Sequence, residues 1–239
     1  MRVINTRPHP DAAVLTEVLA GLGHEVIAAP LLEIRFEDRS RSLDLRGVQA
    51  VMATSANGVR ALAVATEARD MALFAVGDAT ARAAAELGFA RVTSAGADVE
   101  ALSAAVTAAL DPEAGELLHA AGTRVAGDLA GALARAGFAT RRVALYEARA
   151  ADILPAAAEA ALRSGNVDAV VFFSPRTAET FVRLVRDAGL AQACQMVNAY
   201  CLSRAVAGEI SALQWRGVGV AERPEQESLL NLLSGTVAP

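Results

Sequence analysis

Two segments of this chain recur, and their order along the chain is what most limits how it can fold. Val48–Gly58 is repeated at Val167–Thr177, 119 residues further on. The sequence downstream keeps step, because Phe74–Ala81 matches Tyr200–Ala207 and each copy goes on to a short strand and a last helix. A second pair is Leu15–Leu32, turning at Gly23, and Leu129–Tyr146, turning at Gly137, 114 residues apart. The chain therefore reads as segment A, segment B, A again and B again. A is a βαβ piece and B holds three further strands, so neither closes a good sheet alone. A plus B gives about five parallel strands, the size of a flavodoxin-like domain.

Short β-branched runs alternate with Ala-rich stretches of helical length, helped by 56 alanines. Strands are expected at 3–5, 26–27, 50–52, 73–76, 91–93, 116–119, 142–145, 169–173, 199–202 and 217–220. Helices are expected at 11–20, 57–66, 79–87, 99–110, 125–136, 177–187 and 226–233. Such alternation means α/β with parallel sheets. Gly23, Gly88, Gly137 and Gly189 stand where helices should end. The charged stretch Arg35–Ser42 reads as a crossover or linker, and Ala148–Asp152 marks a matching change. These two linkers favour a discontinuous domain made from both chain ends over two sequential domains.

Composition removes several function classes. All 22 basic residues are Arg and Lys is absent, which excludes Schiff-base, P-loop and kinase lysine chemistry. A net charge of -5 argues against a nucleic-acid binder. The densest apolar run, Ala169–Phe173, is far too short for a membrane span, and Met1–Asn5 leads straight into a strand. A signal peptide is therefore not expected, and the cytoplasm is. Cys194 and Cys201 suit a reducing compartment as packed free thiols. His9, His24 and His119 show no ligand spacing, so no metal site is expected, and each reads as an ordinary surface or strand-end histidine. Glycine-fingerprint, zincin and nucleophile-elbow motifs are missing.

What stands out is polar punctuation at strand-to-helix junctions. Thr54-Ser55-Ala56-Asn57 and Gly77-Asp78-Ala79-Thr80 follow strands of the first copy. Ser174-Pro175-Arg176-Thr177 and Ser203-Arg204 follow those of the second. Capping of helix N-termini explains such residues. So does anion binding, because the carboxyl ends of parallel strands hold ligands and free helix N–H groups attract carboxylates. Arg7, Arg60, Arg82, Arg124, Arg176 and Arg204 sit in or near these junctions, as carboxylate partners or solvated charges. Tyr146, just past a strand, could give a proton to a leaving group or close the domain junction as an amphipathic ring.

Thr6-Arg7-Pro8, Pro30–Ile34, Thr54–Asn57, Val76-Gly77 with Thr80-Ala81, Leu145-Tyr146-Glu147 and Phe172–Pro175 together resemble the uroporphyrinogen-III synthase family, in the family's order over nearly the whole chain. The resemblance implies two flavodoxin-like parallel-sheet domains joined by a two-stranded linker. Their expected extents are 1–36 plus 153–239 for the discontinuous domain and 37–152 for the inserted one. It implies a lyase of haem biosynthesis that cyclises hydroxymethylbilane with ring-D inversion and loss of water, without cofactor or metal. It also implies a cytoplasmic monomer, with transient contact with hydroxymethylbilane synthase as a further expectation. Tyr146 is the expected proton donor. Arg7, Thr54, Ser55, Asn57, Gly77, Thr80, Ser174, Pro175, Arg176, Thr177, Ser203 and Arg204 are the expected substrate-binding residues in the family's cleft. Two departures stand out: Ala205-Val206 replaces the family's hydroxyl residues, and Ala97–Glu100 lacks the usual one. The competing reading is a non-catalytic two-domain binding module for an anionic small molecule; a nicotinamide or flavin enzyme is more remote.

Overall fold

A computed structural model of the chain describes residues 1–37, 43–96, 98–124 and 127–235. Of the expected features, Asp38–Ser42 of the charged linker, Ala97, Val125 and Ala126 lie outside the described residues. Contacts divide the chain into two compact units, the first Met1–Glu33 with Arg149–Pro239 and the second Ile34–Ala148.

The first unit contains β1 (Arg2–Asn5), α1 (Asp11–Gly21) and β2 (Glu25–Ala28) from the start of the chain. The second unit holds β3 (Leu32–Phe36), β4 (Val48–Ala53), α2 (Ala56–Ala65), β5 (Ala72–Ala75), α3 (Asp78–Glu86), β6 (Arg91–Ser94), α4 (Val99–Ala109), β7 (Glu116–Gly122), α5 (Leu129–Arg135) and β8 (Thr140–Ala150). The rest of the first unit is α6 (Ala156–Arg163), β9 (Ala169–Phe172), α7 (Pro175–Asp187), β10 (Asn198–Cys201), α8 (Arg204–Glu209), β11 (Gly217–Val220) and α9 (Gln226–Leu233). The unit boundaries fall inside β3 and β8, which are neighbours in one sheet.

The first sheet has the order β11-β10-β9-β1-β2, and its ladders are parallel. In chain order this is 2-1-3-4-5, the flavodoxin-like arrangement. The second sheet runs β3-β8-β7-β4-β5-β6. Omitting β3, it repeats the first sheet with the chain entering at the third strand. The registers agree residue by residue with the sequence repeat. Asn5 lies opposite Ala28 and Val171, and His119 lies opposite Arg142 and Met52. Met52 in turn faces Phe74, as Val171 faces Tyr200. One set becomes the other on shifting by the repeat offsets.

Each sheet is covered on both faces, which is why its central strands are apolar without alternation. In the first unit Leu162, Phe181 and Val206 of α6, α7 and α8 pack on one face, and Leu15 and Leu229 of α1 and α9 on the other. In the second unit Val59 and Ala84 of α2 and α3 fill one face, and Leu102 and Leu133 of α4 and α5 the other. Gly23 and Gly137, equivalent in the repeat, end α1 and α5 with φ of 80° and 89°, a region costly for residues bearing a β-carbon.

Three local expectations are corrected. Leu32–Phe36, partly read as linker, is a strand. It runs antiparallel to β8, since Glu37 N–H donates to Leu145 O and Ala151 N–H to Leu31 O. β8 itself extends to Ala150, well beyond the expected 142–145. The helix expected from 125 begins at Leu129, because the Asp128 carboxylate caps it by accepting the Gly131 N–H at 2.9 Å.

Candidate active site

Polar side chains collect at the carboxyl ends of β4, β7 and β8 in the second unit. Ser55 is extended and caps α2: its Oγ accepts the Gly58 N–H at 3.1 Å. The same Oγ lies 2.9 Å from Tyr146 Oη, with either hydroxyl able to donate. One assignment completes a relay. If Ser55 gives its proton to Tyr146 Oη, the phenol keeps its own O–H for a third group. Asn57 Oδ1 accepts from Arg60 Nη1 at 2.9 Å, which holds the amide at the helix start. At the next junction Gly77 caps α3 without a side-chain hydrogen bond, its carbonyl accepting the Thr80 N–H at 3.0 Å, and Thr80 is buried.

Thr54 Oγ1 lies 3.2 Å from Nε2 of His119, a residue only 4% exposed. Burial, then the nearby Arg142 charge, pushes this imidazole down to about 4, so it is neutral at pH 7 and serves as a fixed hydrogen-bond partner. The expectation of an ordinary surface or strand-end histidine is corrected here. His119 lies within β7 between Met52 and Arg142. The signal available was one titratable residue inside the apolar run Leu117–Ala121.

The first unit has an equivalent strand end with different partners. Ser174 caps α7, accepting the Thr177 N–H at 3.2 Å, and Pro175 occupies the first helical turn. The Ser174 and Thr177 hydroxyls lie 2.7 Å apart, so one donates to the other. Ser203 caps α8 through the Val206 N–H at 3.4 Å. Arg176 is partly exposed and Arg204 exposed. Arg7 is already engaged: it donates to Asp11 at 2.8 Å and Gln226 at 2.9 Å and lies 4.5 Å over the Phe173 ring. That arrangement suits an organiser of the junction better than a free carboxylate clamp. Within the second unit the fold brings Ser55 together with Tyr146 and Thr54 with His119. Ser174 and Thr177 are joined in the first. Gly122 and Arg142, which touch the Tyr146 region, were missed by sequence reasoning.

A family model described as uroporphyrinogen-III synthase HemD matches residues 13–231. The chain belongs to the uroporphyrinogen-III synthase family. Its members are cyclising lyases of tetrapyrrole biosynthesis, so the binding-module alternative is not favoured. Among solved structures, the chain is similar to a mutant uroporphyrinogen III synthase from the extreme thermophile Thermus thermophilus, with 20% identity over 99% of this chain and 98% of that one and a TM-score of 0.62. It is also similar to uroporphyrinogen-III synthetase from Helicobacter pylori, with 15% identity over 99% and 100% and a TM-score of 0.65. At these identities the likeness is one of fold. No curated protein matches the chain. Among the described residues, no helix is long and apolar enough to cross a membrane, and no three His, Cys, Asp or Glu side chains cluster as metal ligands would.

Proposed function

We propose that this chain carries out its family's reaction on hydroxymethylbilane, with Tyr146 as proton donor. The observation that carries the assignment of Tyr146 is its 2.9 Å contact with the helix-capping Ser55 hydroxyl. The Gly58 N–H holds Ser55 Oγ, Ser55 O–H donates to Tyr146 Oη, and the phenol O–H donates to the departing hydroxyl of the bilane. That hydroxyl leaves as water and a pyrrole nitrogen lone pair supplies the electrons, giving an azafulvenium cation beside the phenolate. The substituted carbon of ring D attacks the azafulvene carbon to form a spiro intermediate, which fragments and recloses with ring D inverted. The last pyrrole loses a proton, and the phenolate recovers one, so the net change is loss of water alone. Because pyrrole nitrogen already stabilises the cation, folding the bilane contributes more than acid strength does.

The bilane carries acetate and propionate groups. Thr54, Ser55, Asn57, Gly77 and Thr80 bind them in the second unit, and Ser174, Pro175, Arg176, Thr177, Ser203 and Arg204 in the first, through hydroxyls, guanidinium groups and helix N-termini. Arg7 holds its junction in shape for this. The units act as the two domains of a cytoplasmic monomer that receives its unstable substrate in transient contact with hydroxymethylbilane synthase.

The test is a coupled assay. Porphobilinogen is fed to hydroxymethylbilane synthase with and without the protein, and the oxidised uroporphyrins are separated by chromatography. Isomer III is the expected product, and Tyr146→Phe slows its formation by about 10- to 100-fold without abolishing it. Isomer I alone, from folded protein that still binds the bilane, would restore the binding-module reading.

A further inference from the structure

We infer that Gly122 and Arg142 are positioning residues that, with a bulge in β8, aim the Tyr146 hydroxyl at Ser55. The inference rests on the reading of Tyr146 as proton donor. The β7–β8 ladder pairs Leu117–Ala121 with Thr140–Ala144 one to one, then skips, so that Gly122 lies opposite Tyr146 and Leu145 is the extra residue. In a regular strand Leu145 and Tyr146 would point to opposite faces. Here both pack against the core that includes Val59 and Leu62 of α2, the helix Ser55 caps. A bulge re-aims a side chain in this way.

Gly122 provides the surface on which the ring rests. A β-carbon there would lie 2.8 Å from Tyr146 Cζ and 3.1 Å from Oη, so any side chain pushes the phenol off its seat. The displaced atoms are the free end of a side chain, which can move without disturbing the fold. Arg142 fixes that surface: its Nη2 donates to Gly122 O at 2.6 Å and Thr123 O at 2.8 Å. The Thr123 N–H closes the loop onto Tyr146 O at 2.9 Å. The backbone beneath the ring is thus tied to β8 on both sides of the bulge.

The test is a double-mutant cycle read as kcat and KM for isomer III formation, with the thermal midpoint measured on each variant. A ring moved by about half an ångström to one ångström costs Gly122→Ala about tenfold in kcat with KM within about twofold. In a Tyr146→Phe background the same change has no further effect, because the hydroxyl it displaces is gone. Arg142→Met is the second probe, with the same kcat-selective loss and the same non-additivity. Equal losses in both backgrounds, or full kcat in Gly122→Ala and Arg142→Met while Tyr146→Phe is slow, would overturn the inference. Full kcat in Tyr146→Phe would instead remove the proton-donor reading, and this inference with it.

Discussion

Replacing Gly58 by alanine sets two effects of opposite sign against each other. Gly58 lies in the first turn of α2, and alanine is favoured over glycine in a helix by up to about 1 kcal/mol. Part of that gain comes from a less disordered unfolded chain. Against it, an added β-carbon would lie 2.6 Å from the Ala120 carbonyl oxygen, about 0.8 Å inside ordinary contact. That oxygen belongs to β7, which is paired on both sides by β4 and β8 and cannot withdraw without breaking a ladder. The helix start must lift instead, and overpacking of this kind costs about 1–3 kcal/mol. The clash wins, leaving a net loss of about 1 kcal/mol. Because Ser55 and its contact with Tyr146 ride on that turn, isomer III formation slows as well.

Gly208→Ala supplies the matched control. Gly208 is also helical, in α8, and among the described residues nothing lies within 4 Å of its β-carbon position. It shares the propensity and unfolded-state terms and lacks the clash, so it gains about 0.5–1 kcal/mol. For a chain of this size, 1 kcal/mol moves the melting temperature by roughly 2–4 °C. Calorimetry of both variants should therefore show Gly208→Ala above the parent and Gly58→Ala below it. A rise in both by the same amount would refute the argument that the close approach of α2 to β7 is rigid.

Two further outcomes rest on buried charge and hydrogen bonding. His119 is held down to about 4 from its ordinary 6.5, so the unfolded chain takes up a proton there before the native one does. Its contribution is complete above pH 6.5 and is lost as pH falls towards 4, on the order of 2 kcal/mol by pH 4.5. The urea midpoint should accordingly fall more steeply between pH 7 and 4.5 in the parent than in His119→Asn, and parallel falls would contradict a buried neutral imidazole. Arg69 donates to the carbonyls of Ala63, Thr66, Ala68 and Leu87 and lies 4.9 Å from the Phe89 ring centroid. Arg69→Ala should cost about 2–3 kcal/mol in denaturant unfolding, and Arg69→Lys should recover less than half, since an ammonium cannot reproduce the fork; full recovery by lysine would refute this.

What could be read from the sequence was what local pattern encodes. Buried central strands such as Ala169–Phe172 announce themselves as unbroken apolar runs, and Ser55, Ser174 and Ser203 cap helices where their spacing said they would. The repeat held to the single residue because ladder register depends on the same apolar positions that made the segments look alike. β3 was not legible as a strand. Glu33, Arg35 and Phe36 are not buried, and its partner β8 is more than a hundred residues away. The engagement of Arg7 by Gln226, 219 residues distant, has no local trace either. His119 and Gly122 escaped for a related reason, because what they touch is set by neighbouring strands and by a bulge that periodicity does not announce.

The two copies of the sheet explain why only one carries a candidate acid. By the repeat offsets Ser174 stands where Ser55 does, Thr177 where Gly58 does, and Leu32 where Tyr146 does. In the first unit the Ser174 hydroxyl meets Thr177 Oγ1 at 2.7 Å, so the capping serine has a side-chain partner within its own helix turn. In the second unit a side chain at Gly58 would press on the β7 carbonyl, its β-carbon 2.6 Å from that oxygen. The Ser55 hydroxyl, which accepts only the Gly58 N–H in its own turn, is left without a side-chain partner there and meets the phenol delivered by the β8 bulge. A threonine at 58 would offer Ser55 the local partner that Ser174 has, and the clash with Ala120 opposes it. The close approach of α2 to β7 is thus what keeps this serine available to Tyr146, and it ties the packing of the second unit to its proposed chemistry.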